Sequence, residues 1–241
     1  MKIPDYWLQR PDFQCSAHQQ AELQALYQTF VQPDNGSWIE PTSVPKWVFL
    51  NWLCEVKGLL LHGSGSPGIE RFEPRVPAAK DDDVFSQQRA VFAASDGIWA
   101  MFYAVLDRAK FRLRMLNAAL QFELPQGRLS EMRYFFSVSR GALQQNPWRE
   151  GVVYVLPREG FVQQPPYRLG PWTVHDPHWA NPNSVRPLAR VRVRPQDFPF
   201  LHQVRAHDDH ELMERVRANP SGFPWLDEPT PPRNTPATGR G

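Results

Sequence analysis

Leu59-Leu60-Leu61-His62-Gly63-Ser64-Gly65-Ser66-Pro67-Gly68 and Ala90-Val91-Phe92-Ala93-Ala94-Ser95-Asp96-Gly97-Ile98-Trp99-Ala100-Met101-Phe102-Tyr103-Ala104-Val105-Leu106-Asp107 are the two runs that decide the fold of this chain. The first run, 59–61, is too short for a helix and gives way to glycine and serine. It reads as a strand that delivers His62 to its end. The second reads as a strand over 90–94. At Ser95, a residue able to cap a helix, it passes into a helix over 95–107, in which Ile98, Phe102, Val105 and Leu106 share a face. Residues 63–88 carry Gly, Ser, Pro and the Asp81-Asp82-Asp83 run. They read as loop, with the acidic run on a solvated surface.

Toward the N-terminus, residues 16–31 read as an amphipathic helix capped by Ser16, with Leu23, Leu26, Tyr27 and Phe30 on one face. Pro33-Asp34-Asn35-Gly36 is a turn. Residues 45–57 suit a helix with Pro45 at its first position, stopped by Gly58. Toward the C-terminus, 132–138, 151–156 and 188–193 read as strands. The last alternates: Ala189, Val191 and Val193 face one side, Arg190, Arg192 and Arg194 the other. Residues 208–217 form a short polar helix. Helices come early and strands late, without regular alternation, which is an α+β pattern. The expected organisation is one α+β domain over 1–218, helical over 1–57 and sheet-rich over 58–200. A Pro-rich tail over 219–241 has too little apolar mass to offset its ordering entropy.

Composition narrows the function classes. Apolar residues make up 41%, enough for a substantial core. A net charge of +2 with both signs interspersed argues against a dedicated nucleic-acid groove. The 25 prolines shorten helices and favour strands joined by stiff loops. Cys15 and Cys54 both lie in apolar-periodic segments and read as reduced, partly buried thiols. The first ten residues hold no apolar signal core, and no apolar run is long enough for a bilayer. The expected location is cytoplasmic with no membrane partner, although a substrate of a specialised export machine would look the same.

A strand that ends in His-Gly-Ser has a chemical use. Gly63 lets a ligand approach the backbone. Neutral His62 can bond a ribose hydroxyl, and Ser64 adds a hydroxyl. A ring from the next strand can stack a flat heterocycle. The structural alternative for His62 is a strand-end histidine bonded to backbone.

These residues resemble a known family. Leu60-Leu61-His62-Gly63-Ser64 is similar to the first motif of the ADP-ribosyltransferase superfamily, in the His-Tyr-Glu branch of diphtheria-like toxins and poly-ADP-ribose polymerases. Val91-Phe92-Ala93-Ala94-Ser95 resembles the second motif, and 100–103 its following helix. The resemblance spans residues 50–195. It implies a split antiparallel sheet and NAD as substrate. It implies that His62 holds the adenosine ribose, that the Gly63 backbone holds the nicotinamide amide, and that Ser64 assists. Phe92 or Tyr103 would stack nicotinamide, and Arg75 would reach the phosphates. The late strand over 184–193 resembles the closing strand of the family, yet the segment before it, Val174-His175-Asp176-Pro177-His178-Trp179, lacks the family glutamate. Asp176 is the candidate catalytic carboxylate by position and Glu159 by residue type. A carboxylate suits the positive charge that develops as nicotinamide leaves. The acceptor of ADP-ribose, protein or nucleic acid, is left open.

The alternative implied by the missing glutamate is a non-catalytic interaction module that keeps the fold. An RNA-directed transferase of the same superfamily would want a more basic cleft. Gly63-Ser64-Gly65-Ser66-Pro67-Gly68 lacks the Gly-Lys-Ser/Thr ending of a phosphate loop, and Gly63-Ser64-Gly65 is too tight for a hydrolase elbow. His175/His178 and His207/His210 have metal-ligand spacing, but the first pair brackets a proline and the second opens a helix. The alternating Arg108, Lys110, Arg112 and Arg114 read as a solvated face, and Trp148, Trp172 and Trp179 as core or loop anchors.

Overall fold

The computed structural model describes residues 2–40, 43–77, 84–111 and 113–226. The chain runs β1 (Leu8–Gln9), α1 (Ala17–Leu26), β2 (Ser37–Ile39), α2 (Lys46–Lys57), β3 (Leu60–Ser64), α3 (Val84–Gln87), β4 (Val91–Ala94), α4 (Gly97–Val105) and β5 (Met115–Phe122). It continues with β6 (Arg133–Ser139), α5 (Arg140–Gln144), β7 (Gly151–Leu156), β8 (Val162–Gln163), β9 (Tyr167–Leu169), β10 (Trp172–His175), β11 (His178–Asn181), β12 (Ala189–Val193), β13 (Arg205–His207) and α6 (Asp209–Ala218). The class is mixed α+β with two sheets. One has the order β1-β6-β5-β10-β9, with β13 added on β6; the other has the order β2-β12-β7-β3-β4-β11-β8. Pairing is antiparallel except for β2 with β12 and β13 with β6. Among the described residues no helix is long and apolar enough to cross a membrane.

The largest core lies between the sheets. Leu61, Val153, Val155 and Val191 of one sheet and Tyr134, Phe136 and Val138 of the other share a buried cluster with α2 and α4. Helix α4 is apolar almost all round, and Tyr103 alone escapes full burial, as a helix held between two sheets requires. Two glycines seat it. A Cβ on Gly63 would lie 1.9 Å from the Ala100 carbonyl oxygen, and one on Gly151 would lie 2.0 Å from that of Ala104. These neighbouring strands present a side-chain-free notch, and successive turns of the helix backbone settle into it. The outer faces carry smaller clusters: Phe72, Tyr154 and Trp179 on the second sheet, Trp7, Phe122 and Phe135 on the first.

Most expected elements form where the sequence places them. Ser16 caps α1 by accepting from Gln19 N at 3.2 Å. Gly58 ends α2 at φ +66°, a left-handed conformation that glycine adopts without strain. The alternation along β12 holds, with Ala189, Val191 and Val193 fully buried. Cys15 and Cys54 are free thiols.

Three details differ. The cap of α4 is Asp96, whose Oδ1 accepts from Trp99 N at 2.8 Å; the Ser95 hydroxyl instead takes the Trp179 indole N–H at 3.0 Å. Pro45 sits at the cap of α2, one residue outside the helix. Residues 219–226, assigned to a disordered tail, turn back and pack Phe223 against Trp7 and Phe135, because two aromatic side chains there supply the apolar contact that composition alone obscures. The rest of that tail, 227–241, and the Asp81–83 run lie outside the described residues.

Candidate functional site

The side chains with chemistry gather where the two sheets meet along α4. Trp99 and Tyr103 are one turn apart on that helix and reach across to Asn117 of β5. The Asn117 Oδ1 accepts from Trp99 Nε1 at 2.6 Å and from the Tyr103 hydroxyl at 3.0 Å. On the other side of Trp99, Phe92 of β4 stacks on His178 of β11, with centroids 5.1 Å apart and planes 28° apart. The Trp99 ring meets His178 edge-on at 5.6 Å. The His178 Nδ1–H donates to Gln164 Oε1 at 3.0 Å.

Two residues before His178, the buried Asp176 sits in the β10–β11 turn. It lines a cavity of about 270 Å³ together with Ser95, Gln121, Gln163, His175 and Arg10. Gln163 Nε2 holds the turn by donating to the Asp176 carbonyl at 3.2 Å. Beneath it, Arg10 pairs with Asp96 at 3.0 Å and with Glu55, and the Tyr134 hydroxyl donates to Asp96 at 2.7 Å. Burial, and then the Asp96 carboxylate, push the Tyr134 phenol well above its usual range, so it stays a donor.

The sequence-derived candidates divide between places. Phe92 and Tyr103 stand at the two ends of one row of touching rings, Phe92–His178–Trp99–Tyr103, and Asp176 lines the cavity. His62 turns to the opposite face of its sheet, where its ring packs 4.6 Å from that of Phe72. Its Nδ1–H donates to the Phe92 carbonyl at 2.7 Å. Burial lowers its pKa, which the bond to Phe92 partly offsets, and the ring is neutral at neutral pH. The imidazole thus spans β3 and β4, whose ladder consists of the single pair Leu61↔Ala94.

Gly63 faces α4, so on that face a helix takes the room foreseen for a ligand. The Ser64 Oγ accepts from Ser66 N at 3.1 Å and shapes the following turn. Arg75 is exposed, and its backbone bridges Ala90. Glu159 is exposed in the β7–β8 connection, where its carbonyl accepts from Asn181 Nδ2 at 3.3 Å.

Sequence reasoning missed Asn117, Trp99 and the role of His178. Trp99 and Tyr103 stand four residues apart in a helical run, a spacing that puts two polar-tipped rings on one face. Nothing local marks Asn117, because its partners are 18 and 14 residues away. The groups considered for metal binding do not assemble. His175 pairs with Glu123 at 2.9 Å while His178 turns to Gln164, and among the described residues no three His, Cys, Asp or Glu side chains are placed to hold an ion.

No family model, curated protein or solved structure matches this chain. The site therefore has to be judged on its chemistry. It has a row of aromatic rings, an oriented amide, an imidazole and a buried carboxylate two residues from that imidazole.

Proposed function

We propose that this chain is a divergent ADP-ribosyltransferase-like protein that binds NAD in the inter-sheet groove and transfers or hydrolyses ADP-ribose with loss of nicotinamide. One observation carries the reading: Phe92 and Tyr103, the two rings that the motif resemblance offers for stacking, belong to one row of rings with His178 and Trp99, and His178 lies two residues from Asp176. Support also comes from the two motifs lying on adjacent strands that pair at a single position, as a split sheet would.

In this reading the nicotinamide ring lies among Phe92, His178, Trp99 and Tyr103, and aromatic faces favour a cationic ring. The bond between the ring nitrogen and ribose C1′ breaks, its electron pair stays on nitrogen, and nicotinamide leaves neutral. The positive charge that builds on the ribose is stabilised by the Asp176 carboxylate. A lone pair of water or of an acceptor closes on C1′ and its proton is lost to solvent. His62 is a positioning residue here, since its imidazole pins the Phe92 carbonyl and with it the strand that carries the stacking ring.

The test is nicotinamide release from NAD, with binding measured by calorimetry on the same samples. Release should fall at least 100-fold, or about 3 kcal/mol, in Asp176→Asn, with binding largely kept. Phe92→Ala should weaken binding itself. Neither binding nor release by the wild type would overturn the reading. A second reading is a non-catalytic module that keeps this fold. It is favoured by His62 lying under Phe72 and by Glu159 standing exposed on the β7–β8 connection. Binding without release in the presence of candidate acceptors would favour it.

A further inference from the structure

We infer that Asn117 is a specificity-determining residue of the groove, a pre-oriented amide donor that selects a flat ring bearing an exocyclic carbonyl. The orientation follows from the partners. An indole N–H can only donate, so the Asn117 atom 2.6 Å from Trp99 Nε1 is the carbonyl oxygen. The Tyr103 hydroxyl shares that oxygen at 3.0 Å. With Oδ1 held by two donors, Nδ2 has one direction left. It meets no acceptor among the described residues, and Asn117 is half-buried rather than sealed.

The surroundings define what such a donor would bind. Trp99 and Tyr103, which fix the amide, are themselves ring walls, and Trp99 touches His178, which stacks on Phe92. A planar ligand laid against the half-buried members of this row, Phe92, His178 and Tyr103, meets a single amide N–H₂ at a set height. Only a ligand with an acceptor at its edge satisfies it, and a ligand without one leaves the donor dry and unpaired. For the identity of the ring, this inference rests on the NAD reading, in which the acceptor is the carboxamide oxygen of nicotinamide.

Asn117→Asp separates a ligand role from a structural one. The carboxylate still offers an oxygen to Trp99 and Tyr103, so the cross-link from α4 to β5 survives, but the donor is gone. Free nicotinamide is the probe, because it is uncharged and the new carboxylate cannot attract it as it would the cationic ring of NAD. Ligand-observed NMR should show nicotinamide binding weakened about tenfold or more in Asn117→Asp, with the thermal midpoint nearly unchanged.

A second measurement needs no variant: the wild type should bind thionicotinamide, whose sulfur is a poor acceptor, less well than nicotinamide. Equal nicotinamide binding by wild type and Asn117→Asp would overturn the inference while leaving NAD binding intact. Asn117-dependent nicotinamide binding without any NAD binding would keep the inference and overturn the NAD reading. No nicotinamide binding by the wild type at millimolar concentration would overturn the inference, and NAD calorimetry would then decide the reading alone.

Discussion

Gly63 and His62 are neighbours in sequence that serve opposite faces of one strand, and each makes a prediction. A methyl group at Gly63 would meet backbone, the Ala100 carbonyl oxygen at 1.9 Å and the Ala104 nitrogen at 2.9 Å, and neither can swing away like a side-chain tip. Gly63→Ala should therefore cost about 3 kcal/mol or more in urea unfolding. Gly141→Ala, where nothing lies within 4 Å, should be neutral or gain up to about 1 kcal/mol. Equal effects would mean that α4 does not sit in the Gly63 notch. For His62, burial lowers the folded-state pKa below the unfolded value. Acid then protonates the unfolded chain first, so the stabilising contribution of His62 is complete above the unfolded pKa and is lost as pH falls through the folded one. The stability advantage of wild type over His62→Gln should be largest near pH 8 and shrink steadily toward pH 5. The paired comparison matters because the half-buried His207 also has a lowered pKa, set mainly by desolvation, and titrates in both proteins. An advantage that grew on acidification would place a charged imidazole in the fold.

At the scale of elements, α4 depends on a cap whose other partners come from two distant segments. Asp96 is fully buried, caps Trp99 N, pairs with Arg10 and accepts from Tyr134. Asp96→Ala strands the Arg10 guanidinium and the helix N-terminus together and should cost about 3–5 kcal/mol. Tyr134→Phe leaves the ion pair in place and should cost about 1 kcal/mol. Chemical denaturation of both variants checks the order, and a Tyr134→Phe loss as large as that of Asp96→Ala would refute it. This helix also shows how far sequence reading reached. Its existence and apolar character were legible, since eight of its nine residues are buried and almost every one is hydrophobic. Its cap was misread by one residue because Ser95 and Asp96 are equally good caps in isolation. What chose between them is a tryptophan 84 positions away that claims the Ser95 hydroxyl. The candidate site divided in the same way. Phe92 and Tyr103 were named through the motif resemblance and stand in one row of rings, whereas Asn117 belongs to β5, a strand that did not register as one. The outward turn of His62 follows from parity along β3, which is fixed only once Gly63 is known to face the helix.

The whole molecule is tied together by that helix layer. Both sheets contribute side chains to one buried cluster, and α2 and α4 supply the contacts between them, so neither sheet has an independent inner face. Chains of this length often unfold in stages, domain by domain. Here the shared cluster argues for a single transition. The nine tryptophans sample the whole structure: Trp47, Trp52 and Trp99 lie in or against the central core, Trp7 and Trp172 on the outer face of the first sheet, and Trp179 on that of the second. Tryptophan fluorescence and far-UV circular dichroism should therefore give coincident urea transitions. Leu50, fully buried on α2, sits within this shared layer. Leu50→Ala should lower stability by about 2–5 kcal/mol and move both curves together. If the two probes separated, or if the variant shifted only one of them, the sheets would be folding as independent units. The proposed binding groove would then fall at an interface between domains rather than within one core. A groove built within one cooperative unit keeps Phe92, Asn117 and Asp176 in fixed relation before any ligand arrives, which is the property that a site selecting a flat ring by one amide donor requires.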